Sequence, residues 1–330
     1  MIKLRIFQLL DKFRFGGGEN VAVNYAKVLN KLKIENYIVA EYFDNKFLEN
    51  LEKNKIKYLS KKNLKENDKD TLFVHTNRNL LKLFLKYKFK NKRPKIYYIQ
   101  HLNYSKKKMS ILSKMINSIC DGFIQITPII ENNMSKYIKI KKYFFPNFYI
   151  NKYSINERDS IRNKIREQLN FLPKDYVVTF SGMFKKGKNV SHIIKLAKEF
   201  KEYNNIKFLI LGDGPENAII KNNLQKNIIW LGLVDDVEKY LLATDLYFFS
   251  SINEMMPMAL IEAINANLPI VAYNTEINKY LLEYQFIVEN IEEAKERILE
   301  FYNLDFRTYN HKNKFDFEFG IKNLKKILWS

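Results

Sequence analysis

The sequence has 330 residues but only one cysteine, Cys120, together with ten glycines and seven prolines. A lone cysteine excludes a disulfide framework and any zinc site built from cysteine thiolates. The small share of glycine and proline excludes collagen-like and low-complexity chains. No run of about 18 apolar residues occurs, which excludes a membrane-spanning helix. Residues 1–10 alternate apolar and charged side chains, which predicts a strand rather than a signal peptide, so we expect a cytoplasmic protein.

Acidic residues are scarce in the first half of the chain. Residues 1–150 contain 31 Lys and Arg against 12 Asp and Glu, whereas residues 151–330 contain 25 against 24, and the formal net charge is +20. Because 46% of the residues are hydrophobic and 15% aromatic, this charge does not indicate disorder. The asymmetry predicts two domains, the first of which meets an anionic partner: nucleic acid, an anionic membrane surface or a phosphorylated substrate.

Apolar runs of strand length alternate with amphipathic stretches of helical length along the whole chain. This alternation predicts βαβ units with parallel sheets, and its two series predict an α/β fold of two Rossmann-like domains. The polar stretch 151–172 separates the two series, while residues 129–137 and 320–329 are typical of helices. Because ligands bind at the carboxyl ends of parallel strands, a site is expected in the cleft between two facing domains.

Glycine-rich loops follow three of the predicted strands. Their glycines are Gly16, Gly17, Gly18, Gly182, Gly212 and Gly214. The first loop continues into Glu19 at the start of a helix, where unhindered backbone amides suit an anionic group. In the third loop Pro215 is expected to take the first helical position. Each loop can also be a turn that serves only the chain geometry.

The second of these loops is rich in lysine. Lys185, Lys186 and Lys188 follow Gly182 and precede a helix. Three cations at the carboxyl end of a strand suit a diphosphate, although a lysine-rich loop can equally be a solvated one.

The segment 253–263 carries the sharpest pattern of the chain. Pro257 is expected to start a helix and to leave the amides of Met258 and Ala259 free to hold a phosphate. Glu262 then lies about 7.5 Å along the helix axis, at about 1.5 Å per residue, where a carboxylate can accept from ribose hydroxyls. Glu254 lies in the loop before the helix and would face the sugar end of a nucleotide-sugar.

These residues resemble the signature of the family 4 (group 1) retaining glycosyltransferases of the GT-B fold, which has two glutamates at the spacing of Glu254 and Glu262. Residues 16–19, 146–148, 182–188, 212–216 and 231–232 match further motifs of that family in the same order. The resemblance implies two Rossmann-like domains that face each other across a cleft. It implies an acceptor-binding domain over 1–150, joined by a C-terminal helix within 311–330, and a nucleotide-sugar-binding domain over 151–310.

The resemblance also implies roles for individual residues. Glu262 would bind the ribose, Glu254 would lie near the transferred sugar, and Lys188 would stabilise the leaving diphosphate. A histidine that ends a first-domain strand contacts the donor sugar in such enzymes, and His101 has that place, with His75 as the second choice. Gly182, Lys186, Gly212, Gly214, Pro257, Met258 and Ala259 complete the implied nucleotide-sugar site, and Gly16, Gly17, Gly18 and Glu19 form the implied acceptor or phosphate loop.

The chain departs from the family pattern at several positions. Met183 stands where the family has an arginine, and Lys185 or Lys186 can replace only its charge, because lysine lacks the bidentate fork of arginine. Phe148 and Asn267 stand where the family has glycine, and residues 274–276 replace a Gly-Gly turn near the donor.

The resemblance implies that the protein transfers a hexose from a nucleotide-sugar, which is expected to be a UDP-sugar, to a saccharide or lipid-linked acceptor. The anomeric configuration of the transferred sugar is expected to be retained. Neither a metal nor a cofactor is expected. The implied setting is bacterial surface polysaccharide or lipopolysaccharide synthesis. Two alternatives stay open: a nucleic-acid-binding protein without activity, against which no nucleic-acid-binding motif is found, and a GT-B nucleotide-sugar epimerase.

Two basic segments of the first domain mix lysines with bulky apolar residues. They cover residues 79–95 and 105–119. Both suit an amphipathic helix that lies on an anionic membrane, which predicts a peripheral location on the inner face of the cell membrane. The alternative is that each apolar stripe packs on the sheet and the lysines are solvated.

Overall fold

The computed structural model describes residues 4–14, 16–129, 134–312 and 315–329. The chain divides into two compact units. Unit 1 contains the residues up to Phe148 and those from Phe317 onward, and unit 2 contains Tyr149–Asp316. The sequence predicts the boundaries between the two domains after residues 150 and 310.

The strands, in chain order, are β1 (Arg5–Leu9), β2 (Lys12–Phe13), β3 (Glu35–Ala40), β4 (Tyr42–Phe43), β5 (Tyr58–Ser60), β6 (Thr71–Val74), β7 (Lys95–Gln100), β8 (Gly122–Gln125), β9 (Lys142–Phe144), β10 (Tyr176–Ser181), β11 (Ile206–Leu211), β12 (Ile228–Gly232), β13 (Leu246–Phe249), β14 (Ile270–Tyr273) and β15 (Ile287–Val288).

The helices are α1 (Gly17–Lys31), α2 (Asn45–Lys53), α3 (Asn77–Tyr87), α4 (Lys106–Ile119), α5 (Ile155–Gln168), α6 (Val190–Glu199), α7 (Asn217–Lys221), α8 (Val237–Leu242), α9 (Met258–Asn265), α10 (Glu276–Leu281), α11 (Ile291–Asn303) and α12 (Phe317–Leu328). Short 3₁₀ helices cover Lys61–Asn63, Met134–Tyr137 and Tyr284–Phe286. In the part of the chain that the structure describes, none of the helices is both long and apolar enough to cross a bilayer.

Each unit is built on a parallel sheet. In unit 1 the strand order is β5-β3-β1-β6-β7-β8-β9, and in unit 2 it is β12-β11-β10-β13-β14-β15. All neighbouring strands in both sheets pair in parallel. Strands such as β10, β13 and β14 are buried along their whole length. Helices therefore cover both faces, which explains why these strands are continuous apolar runs in the sequence. The α/β fold expected from the alternation is confirmed.

The order of the strands reverses at one point in each sheet. In unit 1 this point lies between β1 and β6, and in unit 2 between β10 and β13. Loops that leave neighbouring strands in opposite directions open a crevice at such a point, which is where ligands of open α/β sheets bind. The loops after β10 and β13 are the two that carry Lys188 and Glu254.

Several local expectations need correction. The polar stretch 151–172, for which no helix is predicted, is mostly helix α5, because Arg162 and Arg166 on this helix bond to the buried carboxylate of Asp245. The helix expected at 129–137 is a 3₁₀ turn at Met134–Tyr137, and residues 130–133 lie outside the described part of the chain. Pro215 does not open a helix, since Glu216 is the N-cap of α7.

The C-terminal helix α12 belongs to unit 1, where it packs against α1. Gly320 of α12 lies so close to the ring of Phe148 that a Cβ atom would overlap with it. The backbone carbonyl of Phe148 in turn accepts from Asn24 Nδ2 on α1 at 2.7 Å. The phenylalanine that departs from the family pattern therefore has a packing role beneath α12.

Candidate functional site

Three loops of unit 2 interlock at the carboxyl ends of β10, β11 and β12. The amide of Gly182 donates to the carbonyl of Leu211 at 3.0 Å, and the amide of Phe184 donates to that of Asp213 at 2.9 Å. The amide of Gly212 donates to the carbonyl of Gly232 at 2.7 Å. These bonds hold the loops of the predicted diphosphate region against one another.

Two glycines make this close approach possible. Gly212 has φ of +131°, and a Cβ atom there would overlap with the carbonyl oxygen of Gly182. A Cβ atom on Gly214, with φ of +158°, would overlap with the backbone of Phe184. Both positions therefore require glycine for backbone packing. Their contact with a ligand stays a prediction.

The centre of the site is an ion pair between Lys188 and Glu254. Lys188 Nζ contacts Glu254 Oε1, and the two side chains are 14% and 20% exposed. Ser251 Oγ donates to the same carboxylate oxygen at 2.8 Å. The ammonium also lies 5.7 Å from the ring centre of Phe249. The structure thus brings together the two charged residues that the sequence placed on separate loops.

Hydrogen bonds to backbone carbonyls hold the loop after β10 and the loop after β13 against each other. Ser250 Oγ donates to the carbonyl of Lys188 at 2.6 Å, and Asn189 Nδ2 donates to the carbonyl of Ser250 at 2.9 Å. The amide of Ile252 donates to the carbonyl of Gly187 at 3.1 Å. The ion pair therefore lies on a preorganised backbone, which is the condition for electrostatic stabilisation without reorganisation cost.

The other predicted cation of this loop is not part of the cluster. Lys186 is exposed and makes neither a hydrogen bond nor an ion pair with the described residues. A Cβ atom on Gly182, by contrast, would lie 3.9 Å from Lys188 Nζ, so this glycine borders the ion pair. The structure places Gly182 beside the cluster and leaves Lys186 outside it.

Helix α9 presents free backbone amides after Pro257. The helix begins at Met258, with Pro257 as its extended N-cap, one residue later than expected. The first intrahelical bond runs from the amide of Ile261 to the carbonyl of Pro257 at 3.2 Å. The amides of Met258 and Ala259 therefore have no partner within the helix and can donate to an anion.

Glu262 lies in the second turn of α9 and is half-buried, and its carboxylate makes no hydrogen bond or ion pair with the described residues. Burial is the main cause that raises the pKa of this carboxyl to about 7, and Glu238 and Asp236 add to it, whereas Lys152 and Lys188 oppose it. A carboxylate that is partly desolvated and unpaired is poised to accept hydrogen bonds from a ligand.

A buried glutamate near this position was not found from the sequence. Glu238 on α8 is buried and accepts from the hydroxyl of Tyr149 at 2.9 Å and from the amide of Lys152 at 2.7 Å. Its second oxygen, Oε1, is buried without a partner. No local pattern distinguishes Glu238 from a surface charge, because its partners lie almost ninety positions away in the chain.

In unit 1 the two candidate histidines form a pair. His75 follows β6 and His101 follows β7, and these strands are neighbours in the sheet. His75 Nδ1 and His101 Nε2 lie 2.9 Å apart. Burial lowers the pKa of His101 to about 4 and that of His75 well below its ordinary value. Both rings are therefore neutral at pH 7.

The glycine loop of unit 1 opens helix α1. Gly16 is the N-cap, and Gly17 and Gly18 form the first turn. The carboxylate of Glu19 lies against Gly16, where a Cβ atom would overlap with it. Burial raises the pKa of Glu19, which Arg14 opposes. This carboxylate lies over the helix N-terminus and favours a hydroxyl or a cation there more than a free anion.

Among residues 4–14, 16–129, 134–312 and 315–329, no group of three or more His, Cys, Asp or Glu side chains is arranged to hold a metal ion.

Comparison with known proteins shows a similarity to glycosyl transferases that is concentrated in unit 2. Residues 161–315, nearly all of unit 2, match the model of the group 1 glycosyl transferases. The chain is 31% identical over 171 residues to alpha-galactosylglucosyldiacylglycerol synthase of Streptococcus pneumoniae, a match that covers 48% of this chain and 45% of that protein. It is 28% identical over 298 residues to the capsular polysaccharide biosynthesis glycosyltransferase CapH of Staphylococcus aureus, covering 83% and 79% of the two chains. The match thus spans less than half the length of the first of these relatives.

Solved structures show the fold over the whole length. Anabaena Alr3699/HepE in complex with UDP-glucose has a TM-score of 0.80 to this chain at 17% identity, with 98% of this chain and 99% of that chain covered. Residues 161–315 of unit 2 are thus similar to the group 1 glycosyl transferases, and the chain has the GT-B fold.

Proposed function

We propose that this protein is a retaining hexosyltransferase that uses a UDP-sugar donor, needs no metal ion and transfers to a saccharide or lipid-linked acceptor. The observation that carries the proposal is the Lys188–Glu254 ion pair at the point where the strand order of unit 2 reverses. The catalytic task is to stabilise a leaving nucleoside diphosphate while the glycosyl centre becomes cation-like.

Lys188 and the N-terminus of α9 perform that task electrostatically. The ammonium supplies one full positive charge, and the free amides of Met258 and Ala259 supply oriented donors with the partial charge of the helix dipole. The hydrogen bonds of Ser250 and Asn189 fix the backbone at Lys188. The ammonium is therefore already in place before negative charge develops on the leaving diphosphate. Glu254 holds the ammonium in position and offers its carboxylate next to the transferred sugar.

Glu262 is the ribose-binding residue of the proposal. Its carboxylate is unpaired, half-buried and on the same helix as the free amides. Two oxygens without protein partners can accept from both hydroxyls of a ribose ring. The UDP part of the proposal is supported by the structure of HepE in complex with UDP-glucose, which has the same fold.

The acceptor side of the proposal involves an anionic membrane surface. Helix α3 and the turn after it expose Leu81, Leu85 and Phe89, which recur every fourth residue. Leu85 is 72% and Phe89 88% exposed. Lys82, Lys86 and Lys88 lie between them in the sequence, a mixture that is typical of a surface that inserts apolar side chains beside anionic headgroups. Lys82 and Lys86 form ion pairs with Glu41 and Glu66, so Lys88 is the one of the three that has no ion pair with the described residues. A lipid-linked acceptor is consistent with the glycolipid product in the name of the Streptococcus pneumoniae relative, alpha-galactosylglucosyldiacylglycerol synthase.

The test is incubation of the full-length protein with a panel of UDP- and GDP-hexoses and with diacylglycerol, glycolipid and oligosaccharide acceptors. We expect release of UDP that depends on the acceptor and persists in EDTA, and NMR of the product should show the anomeric configuration of the donor. Epimerised free sugar without acceptor would support the epimerase alternative. Salt-sensitive binding to RNA together with no turnover of any nucleotide-sugar would contradict the proposal.

A further inference from the structure

The two histidines of unit 1 meet edge to edge. The nitrogens His75 Nδ1 and His101 Nε2 are 2.9 Å apart, the ring centres 5.1 Å apart, and the ring planes differ by 12°. The distance between the ring centres exceeds the distance between the two nitrogens by about the width of one imidazole ring. Both nitrogens therefore lie close to the line that joins the ring centres, and the two rings are nearly coplanar. A single proton therefore lies between the two nitrogens, in the plane of both rings, as in a well-aligned hydrogen bond.

The surroundings of the two rings differ. His75 is 6% exposed, and its outer nitrogen, Nε2, is buried without a partner. His101 is half-buried, and its outer nitrogen, Nδ1, has no partner among the described residues. The ring centre of Tyr25 lies 6.1 Å from that of His75, and the Tyr25 hydroxyl is also buried without a partner. Within the described part of the chain, neither histidine has a charged neighbour that would favour an imidazolium.

Only two arrangements of protons suit a neutral pair. If His101 donates, then His75 Nε2 carries a hydrogen, which leaves an N–H group buried without an acceptor. If His75 donates, then His75 Nε2 carries only a lone pair, and His101 carries its hydrogen on Nδ1. A buried N–H without a partner is much rarer in proteins than a buried acceptor without one. The second arrangement is therefore the more stable.

We propose that His75 is a positioning residue that donates from Nδ1 to His101 Nε2 and thereby fixes His101 as the Nδ1–H tautomer, with that N–H offered to an acceptor oxygen of the sugar substrate. The hydrogen bond also fixes the plane of the His101 ring. His75 itself touches no substrate in this arrangement and acts through His101. The part of the proposal that concerns the sugar rests on the proposed glycosyltransferase function, whereas the tautomer does not.

The tautomer can be observed directly, because the chain has only four histidines. Full-length protein labelled with ¹⁵N in histidine is studied at pH 7 by long-range ¹H–¹⁵N correlation, and each ring is assigned by its substitution. We expect protonated Nδ1 and bare Nε2 for both His75 and His101. The opposite tautomer of His101, with hydrogen on Nε2, would overturn the proposal, whether or not the protein transfers sugars.

Two variants of His75 separate positioning from simple packing. In His75→Asn the side-chain amide can donate from nearly the place of Nδ1, so we expect His101 to keep its Nδ1–H tautomer. In His75→Val the donor is lost, and His101 should shift toward the Nε2–H tautomer that a neutral histidine side chain prefers in water. His192→Asn in unit 2 replaces a histidine whose Nδ1 lies 2.6 Å from the hydroxyl of Tyr273, and serves as the matched control.

The kinetic readout follows the same variants. We expect kcat/KM for the sugar donor to fall about tenfold in His75→Val and to be restored in His75→Asn, because one hydrogen bond of His101 is lost and regained. Equal losses in both variants with an unchanged His101 tautomer would overturn the positioning role. If no UDP-sugar is turned over by the wild type, the proposed function fails, and the NMR result still decides the tautomer.

Discussion

Lys188 Nζ forms an ion pair with Glu254 Oε1, and Ser251 Oγ donates to that same oxygen at 2.8 Å. The three residues come from the loops after β10 and β13, which are neighbouring strands. A cation held in this way keeps its position when the charge of a leaving group develops, whereas a free lysine would have to be ordered first.

Loss of the Lys188 charge should affect turnover more than binding. We expect Lys188→Ala to lower kcat for sugar transfer by about 10²- to 10³-fold, as removal of a preorganised electrostatic group does. Lys188→Arg should retain part of the activity, since it keeps the charge. Lys195→Ala removes an exposed ion pair with Glu292 in the same unit and should leave kcat unchanged. A Lys188→Ala enzyme with wild-type kcat would contradict the role of this cation.

Replacement of Glu262 should weaken nucleotide binding. Glu262→Gln keeps the shape of the side chain but removes the charge that accepts from ribose hydroxyls, so UDP affinity should fall by about 10- to 100-fold, which is the range for hydrogen bonds to a charged group. Isothermal titration calorimetry measures this directly. Glu202→Gln, an isosteric change of an exposed residue in the same unit, is the control. Equal UDP affinity in wild type and Glu262→Gln would exclude ribose binding by Glu262.

The same substitution should change the pH dependence of stability. The pKa of Glu262 is raised from its ordinary 4.5 to about 7, so the folded state binds more protons than the unfolded state between these values. The contribution of Glu262 to the free energy of unfolding is therefore full below about pH 4.5 and declines as the pH rises to about 7. Urea unfolding should show Glu262→Gln gaining stability relative to wild type from pH 4.5 to 7. A difference that grows as the pH falls would contradict the direction of the shift.

Gly212 and Gly232 form a matched pair for the packing of the loops. Both have positive φ, but a Cβ atom on Gly212 would overlap with the carbonyl of Gly182, whereas nothing lies within 4 Å of one on Gly232. Gly232→Ala should lower the free energy of unfolding by about 1 kcal/mol, because alanine is strained at this positive φ. Gly212→Ala should lower it by about 2 kcal/mol or more beyond that, because its Cβ atom would also overlap with the backbone of Gly182. Urea unfolding of the two variants compares these costs. Equal losses of stability would show that the loops can separate freely.

The exposed face of α3 and the turn after it should bind anionic membranes. We expect the wild type to co-sediment with vesicles that contain phosphatidylglycerol at low salt and to be released as salt increases. Leu85→Ser/Phe89→Ser should weaken this binding, because it removes the apolar side chains that would insert. Leu304→Ser changes an equally exposed leucine of unit 2 and should leave binding intact. No binding of the wild type to these vesicles would reject the membrane surface.

Strands and helices can be predicted from the sequence where the residues of a single segment show a clear hydrophobic pattern. The strands β10 and β11 are among the apolar runs that alternate with amphipathic stretches in the sequence, because a strand covered on both faces is mostly apolar. Helix α5 was missed for the converse reason: its sequence is polar, and it is held by Arg162 and Arg166 on Asp245 rather than by an apolar face. A helix anchored by long-range ion pairs has no local hydrophobic period to detect.

The sequence by itself determined the two series of strands and helices, the loops that carry chemistry and the spacing of Glu254 and Glu262, because these depend on side chains that are near in the chain. Only the tertiary structure decided which of these residues meet. In the structure Lys188 forms an ion pair with Glu254, whereas Lys186 does not contact this pair. His75 contacts His101, and the buried Glu238 accepts a hydrogen bond from Tyr149. Those contacts depend on strand order and on burial, which place distant residues side by side and set the protonation of their side chains.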